Sequence, residues 1–366
     1  MIPRVTVLMP VYNGMAYLRE AVGSVLCQTF TDFEFLIIDD ASTDGSVACV
    51  RSYGDSRITL ICNEHNIGQA RSLNKGLERA RGEFVARLDQ DDVCLPRRLE
   101  AQMRFLQSRP DVAIVCSWEH SIDAFGRRIR SWRSELNNYG EFLGLLLLGK
   151  CPIWHPSVMF RRSVVAELGG YDASYAPAED FDLWARLATR RYNAAIVPEF
   201  LVLQRVHDHR QSVISGGIQT ENMRRGHRKL IEGFSPGAGA ELLAELLRAE
   251  DSFWSHCTSR GQLNTVLSSL DRMLESAKET VGLSPDEFAA VSRVIYRRLG
   301  LGAKHGVKLS WLPSILFYPI FFLFSPLLIP QVQRVASALH QKTRELRFPV
   351  RFFRARLERR ANLKRA

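Results

Sequence analysis

The 366-residue chain has no CxxC pair and no His-rich stretch, and its seven cysteines (Cys27, Cys49, Cys62, Cys94, Cys116, Cys151 and Cys257) form an odd, scattered set. A disulfide scaffold is excluded, and the thiols read as buried groups in a reducing compartment. No GxGxxG follows the first apolar run, where the text is Pro10-Val11-Tyr12-Asn13-Gly14, so the dinucleotide-binding fingerprint is missing. No repeat or low-complexity tract appears. Met1 leads straight into a strand-like run, without the basic and long apolar regions of a secretion signal, and a cytoplasmic catalytic part is expected. An evenly spread basic charge is lacking too. The net charge is +10, but residues 331–366 carry eleven Lys or Arg against two Glu, so the remainder is close to neutral. That argues against a nucleic-acid groove across the main domain. At 46% hydrophobic and 24% charged residues the composition is that of a globular protein, long enough for about two domains.

What is present begins with alternating strand and helix signals. Apolar runs at 5–9, 33–38, 58–62 and 84–88 are each followed by turn residues, and after the first, third and fourth comes a helical pattern: Met15 to Leu26, Ala70 to Ala80, and a helix after Pro96 bearing Leu99, Met103 and Leu106. Units of about thirty residues predict an α/β fold with a doubly wound, mostly parallel sheet. Ligands of such a sheet bind beyond the carboxyl ends of the strands. Pro10 to Asn13, Asp39 with Asp40, Asn63 to Gly68, and Asp89 to Asp92 all follow strand ends, so these four loops should line one crevice. The last of them crowds Asp89, Asp91 and Asp92 behind the strand Phe84 to Leu88, and carboxylates so close together call for a cation or another positive group among them; a divalent metal is the expectation.

Past Val112 to Cys116 the pattern loosens. An apolar segment at 143–148 precedes CPIWHPSVMFRR (151–162), and in AEDFDLWARL (178–187) helical spacing puts Glu179 and Asp180 at a helix start, where acids are favoured. QRVHDHRQS (204–212) contributes His207. Residues 237–300 read as plain helices. From Leu309 to Gln333 no residue is charged, but Pro313, Pro319, Pro326 and Pro330 interrupt the run, and an Arg-rich tail with interleaved apolar residues follows. This predicts a re-entrant or interfacial hairpin and a basic amphipathic tail on an anionic membrane surface. A buried hydrophobic element with a solvated tail is the other reading.

Together MPVYNG, LIIDDASTDGS, NIGQARSLNKGLERARGEFVARLDQDD, HPSVMFRR and AEDFDLWARL resemble the inverting, GT-A fold glycosyltransferases of family 2, over about residues 1–215. The resemblance implies a GT-A type mixed, mostly parallel sheet with flanking helices. It also implies transfer of a sugar from a nucleotide-diphosphate donor to an acceptor hydroxyl with inversion, usually with Mn2+ or Mg2+. The expected organisation is a catalytic domain at 1–225, a helical appendage at 226–305 and the membrane-associating segment with its tail at 306–366.

Residue by residue, Asp91 matches the family's metal ligand, Asp89 an acid near ribose or metal, and Asp92 is left open. A departing nucleoside diphosphate needs a Lewis acid, and hard cations choose carboxylate oxygen. Asp40 matches the acid that accepts a hydrogen bond from the nucleotide base, whereas Asp39 is equally a structural residue and Asp44 a turn or helix cap. Pro10, Tyr12 and Asn13 match the first nucleotide loop, and Gln90 is counted with the nucleotide-sugar residues. Arg71 resembles a basic residue near the donor, or is a solvated helix arginine. Asp180 matches the base that takes the acceptor proton in a single inverting displacement, with Glu179 as runner-up. Trp184 is a wall of the acceptor pocket or plain core, and His155 contacts donor phosphate or acceptor, or is structural. His207 resembles a histidine that completes the metal or diphosphate site. The QxxRW motif of processive synthases is replaced by QRVH, which implies addition of one sugar or a few. The expected setting is surface-glycan or lipid-linked saccharide synthesis, with a saccharide or lipid-linked acceptor, at the cytoplasmic face of the inner membrane, peripheral or monotopic. Two other classes stay open: a sugar-phosphate nucleotidyltransferase, which would carry a Gly-rich, Arg-containing first loop, and a non-catalytic sugar-nucleotide-binding homologue.

Overall fold

The strand runs become the core of one sheet because both their faces are covered. The computed structural model describes residues 2–208, 210–236, 243–245, 247 and 260–298. Strands β1 (Val5–Val11) and β2 (Phe33–Asp39) are buried at every position. Alternate residues point to opposite sides. Val5, Val7 and Met9 meet Leu18, Val22 and Val25 of α1 (Met15–Leu26) and Cys49 and Val50 of α2 (Ser46–Arg51). On the other side, Leu8 presses against Gly76 of α3 (Gln69–Arg79), where an added Cβ would sit 2.2 Å from a Leu8 methyl. Only glycine permits that approach of helix to sheet.

Strands β3 (Ile58–Cys62), β2, β1 and β4 (Phe84–Arg87) lie side by side and parallel. Beyond β4 the sheet turns mixed. Short β8 (Met159–Arg161) runs antiparallel to both β4 and β6 (Val112–Ile122), and the 13-residue β9 (Asn193–Arg205) runs parallel to β6. β5 (Val93–Cys94) closes the far edge against β9, and β7 (Arg128–Trp132) folds back on β6. The long ladders are parallel and the antiparallel ones short, as a GT-A type mixed sheet requires. Helix α4 (Arg98–Ser108) packs on this half.

The remaining helices are α5 (Tyr139–Leu147), α6 (Arg162–Glu167), α7 (Glu179–Thr189), the four-residue α8 (Gln211–Ile214), α9 (Gly216–Phe234), α10 (Arg260–Val281) and α11 (Pro285–Arg298). The expected boundary at 225/226 falls inside α9, and α11 packs along α5, pinned by an Arg191–Glu287 ion pair of 2.6 Å. The described residues accordingly belong to one compact unit. The expected membrane segment and tail, 306–366, lie outside the described residues, as do Cys257 and part of the helical appendage. Among the described residues no helix is long and apolar enough to cross a membrane. The thiols are less uniform than expected: Cys49, Cys94 and Cys116 are buried, Cys151 is partly so, and Cys27 and Cys62 are exposed.

Candidate active site

Parallel β1, β2, β3 and β4 deliver their following loops to one edge of the sheet, and a cleft of about 1200 Å³ opens there. Its lining includes Tyr12, Asp40, Asp91, His155, Asp180 and His207, so loops far apart in sequence do converge.

The β1 loop is held rigidly. Asn13, at φ +50°, accepts from Thr43 N (2.8 Å), and its own N–H donates to Ser42 Oγ (2.9 Å). Asp44 accepts from Met15 N at 3.0 Å, capping α1 from a distant turn. Gln90 clasps the same loop: its Oε1 accepts from Tyr12 N at 2.8 Å and its Nε2 donates to Tyr12 O at 3.1 Å. A Cβ on Gly14 would lie 2.5 Å from Gln90 Oε1, so glycine is what admits the clasp. The Tyr12 ring stays exposed at the cleft.

Asp40 is buried and accepts from Asn63 Nδ2, Ile67 N and Gly68 N at 2.8, 2.9 and 2.8 Å, which fixes the loop after β3. Asp39 accepts from Ser42 N at 3.0 Å and shapes its own turn.

The three carboxylates after β4 each have an oxygen within 4.8 Å of the others, but their partners differ. Asp89 is gripped at both oxygens by the Arg87 guanidinium, at 2.6 and 2.5 Å. Asp91 faces His207, with Oδ2 2.8 Å from Nε2. Asp92 is buried and accepts from Arg205 N at 2.8 Å. Burial raises both Asp89 and Asp92 above the ordinary carboxylate range; Asp91 adds to both shifts, and Arg87 opposes them. Asp91 thus works against the ionisation of both neighbours.

Opposite lies the first turn of α7. Glu179 is buried, its Oε2 has no hydrogen-bond partner, and burial, followed by the Asp180 charge, pushes it up to about 7. Asp180 is raised by burial as well, although its Oδ1 accepts from Phe181 N at 2.8 Å. Its Oδ2 lies 3.8 Å from the Cys151 thiol.

The glycosyl transferase family 2 profile matches residues 6–169. An uncharacterized glycosyltransferase of Methanocaldococcus jannaschii, MJ1057, is 33% identical over 208 residues, covering 56% of this chain and 71% of that protein. The chain belongs to glycosyl transferase family 2. The amylovoran biosynthesis glycosyltransferase AmsE of Erwinia amylovora is 29% identical over 226 residues, 60% of this chain and 79% of the relative. Staphylococcus aureus TarS, solved with UDP-GlcNAc, shares the fold at a TM-score of 0.54 and 16% identity, over 81% of this chain and 88% of the solved one.

In this family 2 glycosyltransferase two expected residues stand away from the cleft surface. Trp184 is fully buried, edge-on to His155 at 5.9 Å between ring centroids, and belongs to the core. Arg71 does not line the cleft; it is exposed and donates to Ile67 O of its own helical turn at 3.2 Å. His155 does line the cleft, bonded through Nε2 to Tyr171 OH at 2.9 Å; burial, then Arg87, drives it well below the usual histidine range, so it is neutral.

Two arginines escaped the sequence reading. Arg87 is buried at the end of β4 among the acids. The buried Arg205, at the end of β9, reaches Asp91 O (3.0 Å) and Glu20 (2.6 Å) and lies over the Tyr17 ring at 4.6 Å. A signal existed for Arg87: it is the one charged residue in the apolar run Phe84 to Leu88, two residues before Asp89.

Proposed function

We propose that the protein is an inverting transferase that moves a sugar from a nucleoside-diphosphate donor to a hydroxyl of a saccharide or lipid-linked acceptor. The observation that carries this is the pairing in one cleft of an acidic cluster after β4 with two proton-hungry carboxylates at the start of α7. The UDP-GlcNAc seen in TarS supports a nucleotide sugar as the donor class. Residues 1–225 would carry catalysis. Surface-glycan or lipid-linked saccharide synthesis at the cytoplasmic membrane face fits both this reading and the role named for AmsE.

Three carboxylates with oxygens within 4.8 Å of one another, beside a histidine, suit Mn2+ or Mg2+. Asp91 and His207 would hold the ion, with Asp89 beside them; Asp92 is committed to Arg205. When bound, such an ion acts as a Lewis acid toward the departing diphosphate. Arg87 keeps Asp89 oriented and supplies a fixed positive charge under the cleft floor. Pro10, Tyr12, Asn13 and Asp40 would form the nucleotide end, with Tyr12 offering a ring and Asp40 shaping the loop after β3. Asp180 takes the acceptor proton as the hydroxyl oxygen attacks opposite the leaving group. Glu179, held near its midpoint at neutral pH, keeps a second full charge away from Asp180. His155 forms part of the acceptor wall.

The test is a thermal-shift panel of UDP-, GDP- and dTDP-sugars with and without Mn2+, followed by turnover of whichever donor binds. A metal-dependent shift with one nucleotide sugar is expected. Asp180→Asn should keep that shift and lose transfer; wild-type turnover in the variant would remove Asp180 as the base.

A further inference from the structure

Single exposed apolar side chains are ordinary, but a gathered set marks a contact surface. Phe125, Ile129, Val213, Ile214 and Ile218 are 83, 58, 50, 70 and 62% exposed. They come from two segments about eighty residues apart, the β6–β7 turn with β7, and α8 with the start of α9. Both segments line the same cleft, through Ile129 and Arg130 on one side and Ile214 and Gln219 on the other. Five of the eight large apolar side chains exposed among the described residues therefore belong to two segments that both border the cleft.

Positive charge is interleaved with it. Arg127 is committed to Asp123 at 2.7 Å, whereas Arg128 and Arg130 are exposed and make no ion pair among the described residues. Guanidinium groups in this state are complementary to phosphate oxygens, which they can grip bidentately. Aliphatic and phenyl groups beside exposed arginines are the composition of a surface that settles at the headgroup and acyl boundary.

We propose that the mouth of the cleft, formed by the β6–β7 turn, β7, α8 and the start of α9, docks on the anionic surface of a lipid bilayer. Arg128 and Arg130 meet lipid phosphates, and Phe125, Ile129, Val213, Ile214 and Ile218 enter the interface. The acceptor then reaches the cleft from the bilayer. None of these residues belongs to the 306–366 tail, and docking can be measured without any donor, so its failure would leave the transfer reading standing.

The experiment uses full-length protein bearing Ile129→Trp or Ile214→Trp, with wild-type emission subtracted. Vesicles of phosphatidylcholine, with or without phosphatidylglycerol, carry brominated phosphatidylcholine as quencher. With phosphatidylglycerol the added tryptophans should shift to the blue and be quenched; without it they should not. Arg128→Gln/Arg130→Gln in either background should weaken the response roughly thirty-fold, at about 1 kcal/mol for each arginine near an anionic surface. Three results would overturn the proposal: no response to anionic vesicles, sedimentation with vesicles while both reporters stay unquenched, or reporters already blue-shifted and shielded in the free protein. The second would assign binding to another segment, and the third would show that the chain covers this face itself.

Discussion

Replacing Glu179 with Gln should raise the stability of the protein relative to wild type as pH rises, over whatever constant offset the amide brings at acid pH. Glu179 is 3% exposed, its Oε2 is unpartnered, and it is raised from an ordinary 4.5 to about 7 by burial and then by Asp180. Below the lower value the carboxyl is protonated in both folded and unfolded chains and costs nothing. Between the two values the unfolded chain releases its proton while the folded one keeps it, so stability falls as pH rises. Above the folded value the whole difference is lost, about 3 kcal/mol by the relation between pKa and free energy.

Glutamine cannot ionise and escapes this loss. At about 2 °C per kcal/mol for a large domain, the gap in Tm between Glu179→Gln and wild type should widen by roughly 6 °C from about pH 5 to about pH 8. Thermal unfolding of both proteins across that range, with a chelator present, measures it. Using the change in the gap cancels the constant effect of an amide at this position. It also cancels Glu119, a second buried carboxylate held at about 7. A gap that stayed constant with pH would refute the reasoning, because Glu179 would then ionise as readily folded as unfolded. The same variant should retain transfer within roughly ten-fold, since Asp180 remains to take the proton.

Asp91→Ala should abolish the Mn2+-dependent part of any donor thermal shift and lower turnover at least roughly a hundredfold, read by calorimetric metal titration and a transfer assay. Gln90→Ala removes both hydrogen bonds that hold the Tyr12 peptide, and at about 1 kcal/mol for each it should raise the donor KM roughly ten-fold or more with little change in kcat. An equal loss in kcat instead would mean that Gln90 acts on the reacting groups. Trp184→Ala should cost roughly 3–5 kcal/mol in urea unfolding, as a core truncation does; an effect confined to the acceptor KM would return Trp184 to the acceptor wall.

The loops that meet were legible in the sequence because parallel strands carry their following loops to one edge, and four apolar runs of the right length sufficed to say so. β3 has the bounds its apolar run predicted, and β2 differs by one residue. The second half of the sheet was not legible. β8 has only three residues, and β9 shifts register against β6, so neither leaves a clean period of two. That half decides what each acid can do. Within Asp89-Gln90-Asp91-Asp92 the spacing makes the carboxylates look interchangeable. Their partners do not, since Asp89 is taken by a strand neighbour, whereas Asp91 and Asp92 meet His207 and Arg205, 116 and 113 residues away. Asp92 is held by a buried peptide N–H and Asp91 by an imidazole that can itself turn to a cation, so in the proposed reading Asp91 and His207 are the pair best placed to share one. The local motif could therefore nominate three carboxylates, but only the return of β9 to the sheet edge gives each its partner.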